Sequence, residues 1–96
     1  MKPALGKTVY CIYADEINKE TVGYVGEDSF IVEEFNDNRV FDSLEYYYGD
    51  YNINWFTSLA KAKKQLVKDY NDAIGPVHKV KIVTLNEGTT WGLEII

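Results

Sequence analysis

Cys11 and His78 are each the only residue of their type, and between them they bound the nucleophilic and metal chemistry open to this chain. One thiol and one imidazole cannot assemble a Cys/His cluster with zinc spacing. A Cys11–His78 nucleophile pair would require the fold to bring two strands together, and a cysteine inside an apolar run is far more often inert core. Gly6-Lys7-Thr8 has the form of the end of a phosphate-binding loop. That motif demands a glycine five residues before Gly6, where Met1 stands, and a helix behind the lysine, where a strand follows. Asp69-Tyr70-Asn71-Asp72 lacks the third ligand and the glycine of a calcium loop. Fifteen carboxylates could supply a general acid and base, yet no spacing singles out two of them. No catalytic residue, cofactor or metal is expected.

Aromatic rings carry more information. Glu45-Tyr46-Tyr47-Tyr48-Gly49-Asp50-Tyr51 is followed by Trp55-Phe56. Three consecutive tyrosines cannot all face inward. In a helix they project about 100° apart, and in a strand Tyr47 opposes the other two. At least one ring is therefore exposed beside Glu45 and Asp50. Tyrosine suits binding surfaces because it offers a large, rigid contact with a polar tip. The candidate partner-binding residues are Glu45, Tyr47, Tyr48, Asp50 and Tyr51. The competing reading closes most of these rings over a helix end as a small core, with their phenols reaching water.

One long helix must position the rest. In residues 57–74, Leu59, Ala62, Leu66, Tyr70 and Ala73 recur at steps of three or four, with Val67 and Ile74 widening the stripe. Lys61, Lys64, Lys68 and Asp72 fall on the opposite side. Thr57 or Ser58 can cap the first turn, and Gly75-Pro76 is a stop signal. One side of this helix must be buried, and a sheet is the expected floor. Lys63 projects inside the apolar arc, where its methylene stem can pack while the ammonium reaches water. A specific pairing with a sheet carboxylate, or a functional lysine, is the alternative.

Around the helix lie short strands. Thr8–Tyr13 is β-branched and aromatic on both alternating faces, as a central strand should be. Residues 15–20 read as a polar connection, residues 21–25 as a short strand interrupted by Gly23, and Ser29–Phe35 as a further strand. Asn36-Asp37-Asn38 is turn chemistry, with Arg39 beginning an antiparallel return. Two readings stay open for residues 43–48. Asp42-Ser43-Leu44-Glu45 has the form of a capping box and predicts a short helix, and the competitor is one continuous strand over residues 39–48. Phe41-Asp42-Ser43-Leu44 also echoes Phe56-Thr57-Ser58-Leu59. Residues 77–85 and 89–95 flank Asn86-Glu87-Gly88, a three-residue hairpin loop. The pattern predicts a single α+β domain over residues 1–96, with a mainly antiparallel sheet of about four to six short strands on one main helix.

Charge narrows the partners. The chain of 96 residues carries a net charge of −5. Residues 15–50 hold eleven carboxylates against Lys19 and Arg39, whereas residues 51–96 are net basic. Direct binding to a nucleic-acid backbone is not expected, because phosphate contacts need clustered Lys and Arg. Nothing approaches a membrane span. The lone cysteine agrees with a reducing compartment, which makes the cytoplasm the expected address.

Thr8–Tyr13, TVGYVGEDSFIVEEF from Thr21 and WFTSLAKAKK from Trp55 together resemble small uncharacterised proteins of phages and prophages of low-GC Gram-positive bacteria. That resemblance implies an accessory factor that binds host or viral proteins, and it transfers no functional residue. Three functions follow in order. The first is a non-enzymatic acidic interaction protein binding another protein. The second is a DNA mimic that occupies the basic groove of a restriction- or CRISPR-type protein. The third is a small enzyme using unpaired acids or Cys11. Edge strands also leave a homodimer by sheet extension open.

Overall fold

Val9 and Cys11 point to one face of β1 (Thr8–Tyr13), and Tyr10 and Ile12 point to the other. Both faces are covered, as the two-sided apolar pattern of this strand requires. The structure, a computed structural model, describes residues 1–35, 41–75 and 79–96. A two-residue turn links β1 to β2 (Glu16–Val25), with Ala14 and Asp15 at φ 51° and 62°. These are the positive angles of the tight hairpin turn that matches strand twist. Residues 16–20 are thus strand, not connection. Their polar appearance misleads because Glu20, 6% exposed, lies buried opposite Val9.

β2 organises the sheet. One edge pairs with β1 from Glu16 to Thr21. The other edge is divided: Ile17 and Asn18 pair with β7 (Thr90–Ile95), and Val22, Tyr24 and Val25 pair with β3 (Ser29–Phe35). β3 pairs along its length with β4 (Phe41–Tyr47), and β1 carries the two-residue β5 (Trp55–Phe56) on its far edge. β7 pairs in turn with β6 (Val80–Leu85). All these ladders are antiparallel, and the curled sheet packs with the main helix, α1 (Leu59–Ile74), as an α+β fold.

Two apolar clusters lie on opposite faces of β1. The first holds Val9, Cys11, Val22, Phe30, Val32, Tyr46 and Trp55. Phe30 meets the Trp55 ring edge-on at 4.8 Å and stacks with Tyr46 at 5.9 Å. The second holds Ile17, Phe56, Ala62, Leu66 and Trp91, beneath α1. Trp55 and Phe56 are neighbours in β5, so strand alternation sends one ring into each cluster.

Ser58 caps α1, its Oγ accepting the Lys61 N–H at 3.4 Å, and Gly75 closes it at φ 86° with its N–H on the Asn71 carbonyl. Lys63 is half-buried, and among the described residues it has no ion pair, consistent with stem packing. The apolar stripe is only partly covered. Ala62 and Leu66 are buried, Leu59 and Tyr70 half-buried, and Ala73 and Ile74 exposed, where a cavity separates the last turns from β6 and β7.

Residues 43–48 form no α-helix. Ser43 to Tyr47 belong to β4, paired residue for residue with β3, and a short 3-10 turn, Tyr48–Asp50, follows. The Phe41–Leu44 echo of the α1 start fails because cross-strand pairing outweighs a local capping pattern. The Asn36–Asn38 turn, Arg39, Pro76 and any Cys11–His78 pairing lie outside the described residues.

Candidate functional site

A register shift in β2 builds an exposed aromatic face. Val22 pairs with Val32 and Val25 with Phe30, all inward, while between them Tyr24 pairs with Ile31. Strict alternation would put Tyr24 on the same face as Val22, inside the first cluster. The extra residue at Gly23 makes a bulge that turns Tyr24 outward, to 59% exposure. Tyr24, Ile31 and Glu45 then form one row across β2, β3 and β4, with Ser29 and Tyr47 beside it. Gly26 lies under the Tyr24 ring. A Cβ there would stand 3.4 Å from Tyr24 Cε1 and 3.1 Å from the Ser29 carbonyl oxygen, a tight fit for any side chain.

Glu45 is the polar centre of this face. Ser29 Oγ donates to Glu45 Oε2 at 2.6 Å, and the Tyr47 hydroxyl donates to Oε1 at 3.2 Å. The negative charge of Glu45, then its hydrogen bond, raises the Tyr47 phenol above the ordinary tyrosine value, with smaller contributions from dehydration and Asp50. The Tyr47 backbone is itself anchored, because Trp55 Nε1 donates to its carbonyl oxygen at 2.8 Å.

The five residues expected from sequence divide between two roles. Glu45 and Tyr47, the latter 53% exposed, occupy the open face. Tyr48 is half-buried: its hydroxyl donates to the Gly26 carbonyl at 2.7 Å, its ring stacks with Phe30 at 6.1 Å, and Lys2 Nζ lies 5.4 Å from the ring centroid. Partial burial, followed by Asp28 and Tyr24, raises its phenol. Tyr51 tilts against Trp55 at 4.7 Å and shares a 2.9 Å hydrogen bond with Thr57. Asp50 sits half-buried in the 3-10 turn, where its carbonyl accepts the amides of Ile53 and Asn54. Tyr48 and Tyr51 therefore serve packing first. Sequence reasoning missed Tyr24, Ile31 and Ser29, although Gly23 within a strand was the available signal, since such a glycine often marks a bulge.

Elsewhere, Cys11 is fully buried in the first cluster. Among the described residues, no group of three or more His, Cys, Asp or Glu could hold a metal ion, and no helix is long and apolar enough to cross a membrane. Among the described residues the acids are not one array. Glu20 is buried, Glu16 and Asp50 are half-buried, and Asp15, Glu27, Asp28 and Glu45 are exposed on two different turns and β4. Lys61, Lys64 and Lys68 instead line a shallow depression on the outer side of α1, beside Asn52 and Gln65. Comparison with protein-family models, curated proteins and solved structures finds no match to this chain.

Proposed function

We propose that this chain is a non-enzymatic binding module that captures another protein on the outer face of β2, β3 and β4, through Tyr24, Ile31, Glu45 and Tyr47. The observation that carries this reading is the bulge at Gly23, which places an aromatic ring in water when strand alternation would have buried it. A partner presenting arginine or lysine suits the face. Two exposed phenol rings beside a carboxylate offer cation–π and charge-assisted contacts together. Glu27 and Asp28, exposed in the adjoining turn, add to the negative field. The phage resemblance supplies the setting, an accessory factor acting in the cytoplasm on a host or viral protein. The duplex-mimic reading fits less well, because Glu20 is buried and the exposed acids among the described residues of 15–50 lie on separate turns and β4.

Affinity capture from bacterial lysate with the immobilised full chain tests the proposal. A Tyr24→Ser/Tyr47→Ser variant should lose the captured protein, while Tyr13→Ser, altered at an exposed tyrosine outside this face, should retain it. Equal capture by all three, with matched thermal unfolding, would remove the face from consideration.

A further inference from the structure

The apolar stripe of α1 runs past the sheet that should cover it. Beyond Trp91 the strand β7 pairs only with β6, so the outer end of this hairpin continues past the β1–β2 turn without a strand between them. The last turns of α1 overhang the same region. Between them lies a cavity of about 500 Å³ with Ile12, Leu66, Tyr70, Ile74, Val80 and Leu93 among its walls. That volume falls within the usual range of built binding sites, and its walls are apolar as theirs are.

Two features define the occupant. The apolar surface does not stop at the cavity: Ile74, Ile95 and Leu85, 56%, 58% and 40% exposed, continue it onto the molecular surface. A compact small molecule would leave these margins wet, whereas a polypeptide segment covers cavity and margin together. Among the described residues the charged lining is one-signed: Asp15, Glu16 and Asp69 stand at the cavity, with no lysine or arginine beside them. Asp69 Oδ1 accepts the Gln65 side-chain amide at 2.7 Å, and the adjacent Lys68 makes its ion pair with Asp72. A second copy of the chain fits poorly. A two-fold contact would bring the same three carboxylates toward one another, within a molecule of net charge −5.

We infer that this cleft is a second docking site, separate from the tyrosine face, for an apolar segment of another protein that carries a lysine or arginine beside its anchoring side chains. Aliphatic anchors enter between α1 and the β6–β7 hairpin, and the cation meets Asp15, Glu16 and Asp69 at the edge. The inference does not rest on the proposed function, since the two sites share no residue.

Synthetic peptides test it on the full, isotopically labelled chain. An alternating leucine–lysine peptide should shift the amide resonances of Ala73, Ile74, Leu93 and Ile95 saturably. A serine–lysine and a leucine–glutamate peptide should each bind at least about tenfold more weakly, one lacking the anchors and the other the charge. Ile74→Asp, at an exposed position that folding does not need, should abolish binding, and Asp15→Asn/Asp69→Asn should weaken it about tenfold. Tyr24→Ser/Tyr47→Ser should leave it intact, which separates the outcome from that of the tyrosine face. Equal binding of the leucine–glutamate peptide overturns the inference, as do resonance shifts confined to the β2–β3–β4 face. So does a concentration-dependent dimer in sedimentation that Ile74→Asp abolishes, because the cleft would then belong to a second copy.

Discussion

Trp55 donates its indole N–H to the carbonyl oxygen of Tyr47, joining a fully buried ring of the core to the backbone of an exposed tyrosine. The position of the outward ring is therefore set from inside. Trp55→Phe should cost about 2–3 kcal/mol, combining lost packing with a carbonyl left without its donor. Denaturant unfolding measures the loss. The same variant should disturb the Tyr47 and Glu45 resonances, which a change confined to the core would not reach.

A pH dependence follows from Glu45 beside Tyr47. Ionising the phenol would place a phenolate against a carboxylate, so the fold favours the neutral form and the folded value lies above the ordinary one. The stabilisation is complete below the ordinary tyrosine value of about 10 and is lost as pH rises through the raised folded value. Tyr48 acts in the same direction, through partial burial and Asp28. Stability should thus fall as pH climbs above the ordinary tyrosine range, and Glu45→Gln should flatten that decline. Phenolate absorbance titration of the variant should show one tyrosine ionising earlier than in the parent chain.

Two positions on the apolar stripe of α1 should respond very differently to truncation. Leu66 is buried in the second cluster, and Leu66→Ala should cost about 2–4 kcal/mol. Ile74 is exposed, and Ile74→Ala should change stability by no more than about 0.5 kcal/mol. Thermal unfolding of the two variants compares them directly. Equal losses would mean that the cleft closes over Ile74 in solution.

Cys11 should resist alkylation. It is fully buried in the first cluster, so iodoacetamide should modify it only at the rate of unfolding. Mass spectrometry of native and denatured samples gives the ratio.

Much of this architecture was legible in the sequence because local rules and the fold agree. Ser58 and Gly75 bracket α1, β1 has two apolar faces, and the tyrosine run divides into Tyr46 buried, Tyr47 exposed and Tyr48 between. Where tertiary context overrides local pattern, sequence reading failed. Residues 16–20 read as a loop because burial of Glu20 follows from its strand neighbours, not from its own chemistry. Residues 43–48 satisfied a capping pattern that pairing with β3 defeats. Tyr24 was missed because a bulge inverts the two-residue period. The cleft could not be read at all. Helical spacing says which side of α1 is apolar, but not how far the sheet runs beneath it.

The divided edge of β2 has a consequence for how the chain is made. Ile17 and Asn18 wait for Trp91 and Thr90, strands near opposite ends of the sequence. Non-local closures of this kind slow folding, since loop entropy must be overcome before the contact repays it. On the ribosome, the segment through β5 can begin to collapse early, but the platform beneath α1 stays unfinished until β7 has been synthesised. During that interval the cluster beneath the helix lacks Trp91, and the β2 edge at Ile17 and Asn18 stays open to water.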